Sequence, residues 1–411
     1  MADTAARTAR PRPLLVLGLT LGGVALTALG ALAASTVAGA RLIVTPARRR
    51  TDDVRVLAVA ADGATVTLSS DADTRLPGRY SFWFDRGRGH ARLGEVLRDD
   101  GRRVERAVES VTAGDLRAAR SGRLGGWWWL DPGDAGLPFD DVTVPTPHGG
   151  APAWSVPARG DGGGGDEGDG RWMIAVHGRG VTRAETLRTV PPFRDAGWSS
   201  LVVSYRNDGE APRSPDGRYA LGDEEWEDVE AALRWVADRG ATDVVLVGWS
   251  MGGATVLQAA TRASGRELVT GIVLESPVVD WRTTLRAQGD AMHLPRPVQE
   301  VVLRVLASPL LSRVSGRRTP IDLDRLDLVT RADELSVPVL LLHSDDDGFV
   351  PSTASHALAE ARPDLVELEV FTVARHTKLW NLDPERFDRV ISAWLARLAP
   401  STARTGRSRR P

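Results

Sequence analysis

Cysteine is missing from the chain altogether. Its absence excludes disulfides, thiolate metal ligands and a thiol nucleophile in one step. It assigns no compartment, because a disulfide-free protein can work on either side of a membrane. There is also no excess of charge of one sign: 52 basic side chains face 54 acidic ones, a formal net charge of -2. No global field draws in nucleic acid, and no nucleic-acid-binding signature occurs. The acidic, glycine-rich run Arg159–Gly170 (RGDGGGGDEGDG) lacks the ligand spacing of a calcium loop and reads as a flexible linker. No metal or organic cofactor is implied anywhere. What remains is an ordinary globular balance, 42% hydrophobic and 26% charged over 411 residues, enough for one large domain and a smaller one.

From Leu14 to Ala40 no charged residue occurs. A helix needs roughly 20 apolar residues to cross a bilayer, so residues 14–40, after a short tail over 1–13, are expected to form one transmembrane helix. Ala38-Gly39-Ala40 also resembles a signal-peptide cleavage site. Signal h-regions run only about 7–15 residues, which favours a retained anchor. Arg7, Arg10 and Arg12 precede the segment; Arg41, Arg48, Arg49 and Arg50 follow it. That near balance orients the helix weakly. The short N-terminus suggests a single-pass protein of the cell membrane with its main domain outside.

Residues 51–125 read as a small β-rich domain. VRVLAVAADGATVTLSS alternates, with a hairpin turn at Asp62-Gly63, and YSFWF is another strand. GEVLRDDGRRVERAVES reads as mixed short elements, His90 as a surface residue, and Trp127-Trp128-Trp129 as packing at a domain junction, with contact to lipid headgroups as the rival reading. From residue 138 to 398 strands alternate with helices. FDDVTVPT and APAWSVPA form a hairpin; MIAVH, SLVVSY, DVVLVG, GIVLES, PVLLLH and VELEVF read as strands buried on both faces of a parallel sheet. Trp226, Val229, Leu233 and Val236 recur at helical spacing. The pattern predicts an α/β fold, a doubly wound, mostly parallel sheet. About sixty residues separate GIVLES from PVLLLH, which predicts a helical cap over residues 280–330. The basic tail 399–411 is expected to be disordered.

The chemistry centres on Gly248-Trp249-Ser250-Met251-Gly252, followed by Gly253, at the end of one strand and the start of a helix. A serine hydroxyl is a useful nucleophile only when exposed beside a base, and a tight strand-to-helix turn flanked by glycine exposes it. Ser250 is therefore the candidate nucleophile. Oxyanion donors are expected from the backbone amides of Met251 and of Arg179 in His177-Gly178-Arg179-Gly180; His177 reads as a loop-shaping residue. The base should follow the acid late in the chain. His356 falls in a helical pattern, whereas His376 lies just beyond VELEVF, at the carboxyl end of a strand, so His376 is the candidate base. Asp345, Asp346 and Asp347 are three adjacent candidates for the acid, and Glu275, ending GIVLES, is a further one.

Over residues 140–398 the chain resembles the α/β-hydrolase superfamily of serine hydrolases. In many members a His-Gly pair is followed by two residues, the catalytic Asp, two more residues and Val-Pro. Aligned on His343, Val350 and Pro351, that resemblance implies Asp347 as the acid, with Ser344 in place of the usual glycine and Arg375 where glycine often precedes the histidine. More narrowly, YRNDG (205–209), Asp216-Gly217-Arg218-Tyr219 and HTKLWNLDPERF resemble membrane-anchored actinobacterial members, esterase-like or serine-aminopeptidase-like. The expected activity is hydrolysis of carboxylic esters through an acyl-enzyme on Ser250, His376 and Asp347, with a small-molecule or lipid-like acyl substrate and no obligate protein partner. Activity should fall in acid, since a protonated imidazole cannot act as a base. The rivals are a peptidase, an acyltransferase and a non-catalytic membrane scaffold. The absence of a blade-length repeat in residues 51–125 weakens the peptidase.

Overall fold

The computed structural model describes residues 30, 32–47, 50–160 and 170–398. Most of the apolar segment 14–40, the centre of the glycine-rich linker and the tail 399–411 lie outside them.

Residues 32–44 form a helix, α1. Thr36, Ala40 and Val44 are spaced four apart and buried, and Ala40 and Val44 belong to the main hydrophobic core of the large domain. The end of the expected transmembrane segment is thus corrected: residues 36–40 belong to a helix docked on protein, which continues to residue 44. Among the described residues no helix is long and apolar enough to cross a membrane.

A closed six-stranded barrel follows, in the order β1-β2-β5-β4-β3-β6. Its strands are β1 (Val54–Val59), β2 (Thr65–Ser69), β3 (Tyr80–Phe84), β4 (Gly89–Asp99), β5 (Arg103–Ala113) and β6 (Ser121–Gly125). Alternate residues such as Val66 and Leu68, with Phe82, Phe84, Ala91 and Leu93, point inward as the barrel core. The Asp62-Gly63 turn joins β1 to β2, the Asp62 carboxylate accepting from the Ala64 amide at 2.9 Å. The stretch read as mixed short elements is instead one long hairpin, β4–β5, whose repeated register shifts bend it around the barrel. The second half of each strand is largely exposed, so apolar alternation does not run through the hairpin. His90 is also corrected. It is buried in β4, its ring 4.5 Å from that of Trp83, and bonded to Thr112 (2.6 Å) and Ser81 (2.8 Å). Burial first, then the nearby Arg92, pull its pKa down to about 4, so it is neutral at physiological pH. Buried Arg106 donates to the carbonyls of Thr74, Leu76, Gly78 and Gly94, which fixes the 71–78 loop.

The second sheet has eight strands, ordered β14-β13-β12-β11-β9-β10-β8-β7. They are β7 (Asp140–Thr146), β8 (Gly149–Val156), β9 (Arg171–Val176), β10 (Ser199–Val203), β11 (Asp243–Trp249), β12 (Val269–Glu275), β13 (Val339–Ser344) and β14 (Val366–Phe371). Strands β9 to β14 pair in parallel; β7 and β8 add an antiparallel edge. In β11, Val244 and Leu246 join one core cluster and Val245 and Val247 the other, so both faces are buried and the strand reads as an unbroken apolar run. The first cluster packs helices α3 (Trp226–Ala237) and α4 (Met251–Arg262); the second packs α2 (Val190–Asp195) and α10 (Pro384–Arg397). Between β12 and β13 lie α5 (Trp281–Ala291), α6 (Arg296–Ala307) and α7 (Ser312–Ser315), which form the cap. Helix α8 (Thr353–Ala361) follows β13, and the short α9 (Leu379–Leu382) precedes α10.

The three tryptophans pack the junction of barrel and sheet. Trp128 and Trp129 lie 6.3 and 5.1 Å from Trp380 of α9, and Trp127 meets Trp83 edge-on at 5.8 Å. Asn381, also in α9, donates to the carbonyls of Arg79 (2.8 Å) and Gly126 (2.9 Å). The barrel is therefore fastened to the segment that follows His376.

Candidate active site

Ser250 sits between β11 and α4 with φ 53° and ψ -118°. That conformation is costly for a residue with a side chain, by about 1–3 kcal/mol, and persists only where its surroundings enforce it. They do so here. The Ser250 amide donates to the Glu275 carbonyl (3.0 Å), and its own carbonyl accepts from Gly253 (2.9 Å) and Val278 (3.0 Å). A Cβ on Gly248 would lie 2.6 Å from the Gly252 carbonyl oxygen, one on Gly253 would lie 2.5 Å from Pro277, and one on Gly252 would run into the Val176 and His177 carbonyls. The glycines of the motif thus answer to close backbone approach, and the N-terminus of α4 lies directly behind the serine.

Ser250 Oγ lies 2.9 Å from His376 Nε2, and His376 Nδ1 lies 2.7 Å from Asp347 Oδ2. Of the three adjacent aspartates only Asp347 is buried; Asp345 and Asp346 are exposed. The turn into Val350-Pro351 turns the Phe349 and Val350 amides onto Asp347 Oδ1, both at 2.9 Å. His343 stands 3.3 Å from Oδ2. It bonds Val350 O at 3.1 Å through Nε2 and Ser355 Oγ at 2.7 Å through Nδ1. Burial by itself would push the Asp347 carboxyl up; His376 and His343 outweigh it and hold the group far below the usual carboxylate range. Asp347 is therefore ionised, His376 Nδ1 carries a proton towards it, and Nε2 is left free to accept from Ser250. His356, on α8, is half-buried and paired with Asp345 at 2.9 Å.

Glu275 ends β12 fully buried, and burial holds its carboxyl well above the ordinary range despite Arg188. Its Oε1 accepts from Leu379 N at 3.4 Å, and neither oxygen bonds His376. Arg188 lies beneath the site, donating to Thr377 O (3.0 Å), with its guanidinium carbon 4.3 Å from the Trp249 ring centre.

The His177–Gly180 loop borders the serine. A Cβ on Gly178 would lie 3.0 Å from that of Ser250. The Gly178 amide is engaged by buried Glu185 at 2.8 Å. His177 is stacked on Tyr205 and tied to Gly178 O (2.8 Å) and Asp208 (3.2 Å), while the Tyr205 hydroxyl donates to Gly178 O at 2.8 Å. YRNDG therefore shapes this loop. Met251, next after the serine, is the first residue of α4. The Arg179 side chain turns away and donates to the Leu42 (3.2 Å) and Ile43 (2.5 Å) carbonyls, capping the C-terminus of α1.

Several neighbours of the site carry no mark in the sequence. Asp73, from the barrel, meets Arg375 Nε at 3.0 Å and Lys378 Nζ at 2.8 Å, so its carboxylate ties down both flanks of His376. Arg375 reaches over Gly348, where a Cβ would come within 2.6 Å of its Nη2. A cavity of about 520 Å³ opens over Ser250 and His376. Ile43 of α1, Trp281 and Leu285 of the cap, Phe349, and barrel residues including Trp83, Arg123 and Trp127 line it. Among the described residues no cluster of His, Asp or Glu could hold a metal ion.

A family model described as "Alpha/beta hydrolase family" matches residues 173–390, and one described as "Domain of unknown function (DUF8805)" matches residues 55–125. No curated protein matches the sequence. Among solved structures, an esterase of Pyrococcus furiosus is similar at 19% identity over 67% of this chain and 96% of its own, with a TM-score of 0.49. A puromycin-hydrolyzing peptidase of Mycobacterium tuberculosis is similar at 18% identity over 82% of this chain and 46% of its own, TM-score 0.48. An esterase of Rhodococcus sp. is similar at 20% identity over 64% and 99%, TM-score 0.43.

Proposed function

The chain belongs to the alpha/beta hydrolase family, and on that premise we propose that it is a serine hydrolase that cleaves carboxylic esters through an acyl-enzyme. The observation that carries this reading is the relay of 2.9 Å and 2.7 Å from Ser250 through His376 to Asp347. Ser250 Oγ attacks the acyl carbonyl while His376 Nε2 takes its proton. The ionised Asp347 holds the imidazole tautomer and stabilises the imidazolium. The amides of Met251, at the head of α4, and of Arg179 donate to the oxyanion. His376 then hands the proton to the departing alkoxide oxygen. Water, deprotonated by the same nitrogen, releases the acid and restores Ser250.

We further propose that residues 14 to about 30 anchor the protein in a membrane, on the strength of their uncharged, apolar sequence. Helix α1 would then join the bilayer directly to the cap.

The test is turnover of short p-nitrophenyl esters by the wild type and by Ser250→Ala, with aminoacyl anilides run alongside. Ester turnover abolished by the substitution, with the anilides untouched, is the expected result. Equal ester turnover by the two proteins overturns the reading.

A further inference from the structure

The cavity over Ser250 is built from both domains, and cationic side chains from both line it. Arg50, Arg123, Arg179, Arg375 and Lys378 all line it. Their carboxylate partners are few and already committed. Asp73 serves Arg375 and Lys378 together. Asp52 stands 3.4 Å from Arg123. Glu185 faces the cavity too, but it accepts from the Gly178 amide and lies against the buried Arg188. Arg179 bonds only main-chain carbonyls of α1, and Arg50 donates to the Gly180 carbonyl at 3.1 Å. Among the described residues neither has a carboxylate partner. Arg50 stands near enough to Arg123 and Arg179 for its charge to depress both, in each case after burial. Asp52 and Asp53 lie beside Arg123, but Arg50 brings a second guanidinium up to it with no carboxylate partner of its own, and a bound anion relieves the repulsion between the two.

Two indole rings, Trp83 and Trp127, also line the cavity. The Arg123 guanidinium carbon lies 5.7 Å from the Trp83 ring centre, and Trp127 stands edge-on to Trp83. Ile43, Val278, Trp281 and Leu285 add apolar lining. The space thus offers apolar surface for a hydrocarbon or aryl group and, near Arg50 and Arg123, a place for a negative charge.

Building on the ester-hydrolase reading, we propose that the substrate is an ester carrying a second, anionic group, a carboxylate or phosphate, which Arg50 and Arg123 bind on the barrel side while Ser250 attacks the ester. This gives the barrel a function: it is the specificity wall of the active site. The anion can sit on the acyl part or on the leaving group, and it can belong to a soluble ester or a lipid headgroup. The shared chemistry is a fixed negative charge beside an ester bond.

The test compares matched pairs on the full-length protein. p-Nitrophenyl hydrogen glutarate against its methyl ester puts the charge on the acyl side; 4-acetoxybenzoate against its methyl ester puts it on the leaving group. Dispersed oleoyl glycerol phosphate against oleoyl glycerol adds the lipid case. The expected result is a kcat/KM at least about tenfold higher for the charged member of one pair at low ionic strength, shrinking as salt is added. Arg50→Gln and Arg123→Gln should each cut that preference at least about threefold. Arg397→Gln, which disturbs a surface pair with Glu367, should not. Arg50 is exposed, so its substitution keeps the test meaningful if Arg123→Gln fails to fold.

Neutral esters turned over with no preference in any pair would overturn the proposal and leave the hydrolase reading standing. Titration calorimetry of the Ser250→Ala protein with the two glutarate and the two acetoxybenzoate esters reads binding without turnover. Tighter binding of a charged member, lost in Arg50→Gln, supports the anion site even if the wild type cleaves none of them. Equal binding within both pairs overturns it.

Discussion

Replacing Asp347 by asparagine keeps the side-chain shape and removes the charge. The Phe349 and Val350 amides, both 2.9 Å from Oδ1, demand an acceptor there, so the new carbonyl oxygen must take that place. The new NH2 group then faces His376 Nδ1, 2.7 Å away in the parent. His376 can meet it only by accepting, which moves its proton to Nε2, the nitrogen 2.9 Å from Ser250 Oγ. The base now holds a proton where it must take one. Removing the orienting acid with geometry otherwise intact costs about 10⁴-fold in turnover, or about 5.5 kcal/mol at 1.36 kcal/mol per decade. His343 adds to the conflict, since its Nε2–H, 3.3 Å from Oδ2, would meet a second donor; this costs about 1–3 kcal/mol of stability. The assay is p-nitrophenolate release by Asp347→Asn, normalised to folded protein, beside Glu275→Gln. Burial raises the Glu275 carboxyl well above its ordinary range despite Arg188, which favours its neutral form, so the nearly isosteric amide should leave the rate within about threefold. A Glu275→Gln enzyme that collapses while Asp347→Asn keeps a tenth or more of its rate would refute this reasoning.

Three other outcomes follow from the same contacts. Asp73→Asn removes the carboxylate that ties Arg375 and Lys378 on either side of His376, so kcat for a neutral ester should fall roughly 3- to 10-fold; an unchanged kcat in steady-state assays would deny the barrel any hold on that loop. Gly252→Ala drives a methyl group into the Val176 and His177 carbonyls and should cost about 3 kcal/mol or more, seen as a lost or strongly lowered thermal transition. Burial, with repulsion from Glu385 and Asp195, pushes Asp388 up to about 7, and its Oδ1 is buried without a partner. The folded state then holds this proton more tightly than the unfolded chain, whose carboxyl titrates near about 3.9, so stability is lost as pH rises from about 4 through about 7. Asp388→Asn should therefore raise Tm by roughly 2–4 °C at pH 8 and leave it unchanged near pH 4; a uniform shift at both pH values would contradict the titration.

The site was legible where its determinants are local. The serine turn needs glycines within three residues of Ser250, and His376 needs only to follow the last strand of the sheet. Asp347 stands out from Asp345 and Asp346 because the turn into Val350-Pro351 supplies two amides to one carboxylate and leaves the other two in solvent. The barrel's share of the site was not legible. Asp73 and Arg375 are some three hundred positions apart, and no pattern around either announces the other. His90 lies among glycines and arginines in the sequence, yet β-barrel closure buries it against Trp83. The apolar N-terminal run misled at its end for a different reason. Burial in lipid and burial against a cap helix call for the same side chains, and only the four-residue spacing of Thr36, Ala40 and Val44 separates the two.

The most direct measurement is intact-mass analysis after treatment with a fluorophosphonate, followed by peptide mapping, on the wild type, Ser250→Ala and His376→Ala. One adduct per chain, carried on the peptide containing Ser250, absent from the first variant and greatly slowed in the second, is what the relay predicts. A folded wild-type chain that takes no label, or takes it elsewhere, contradicts it.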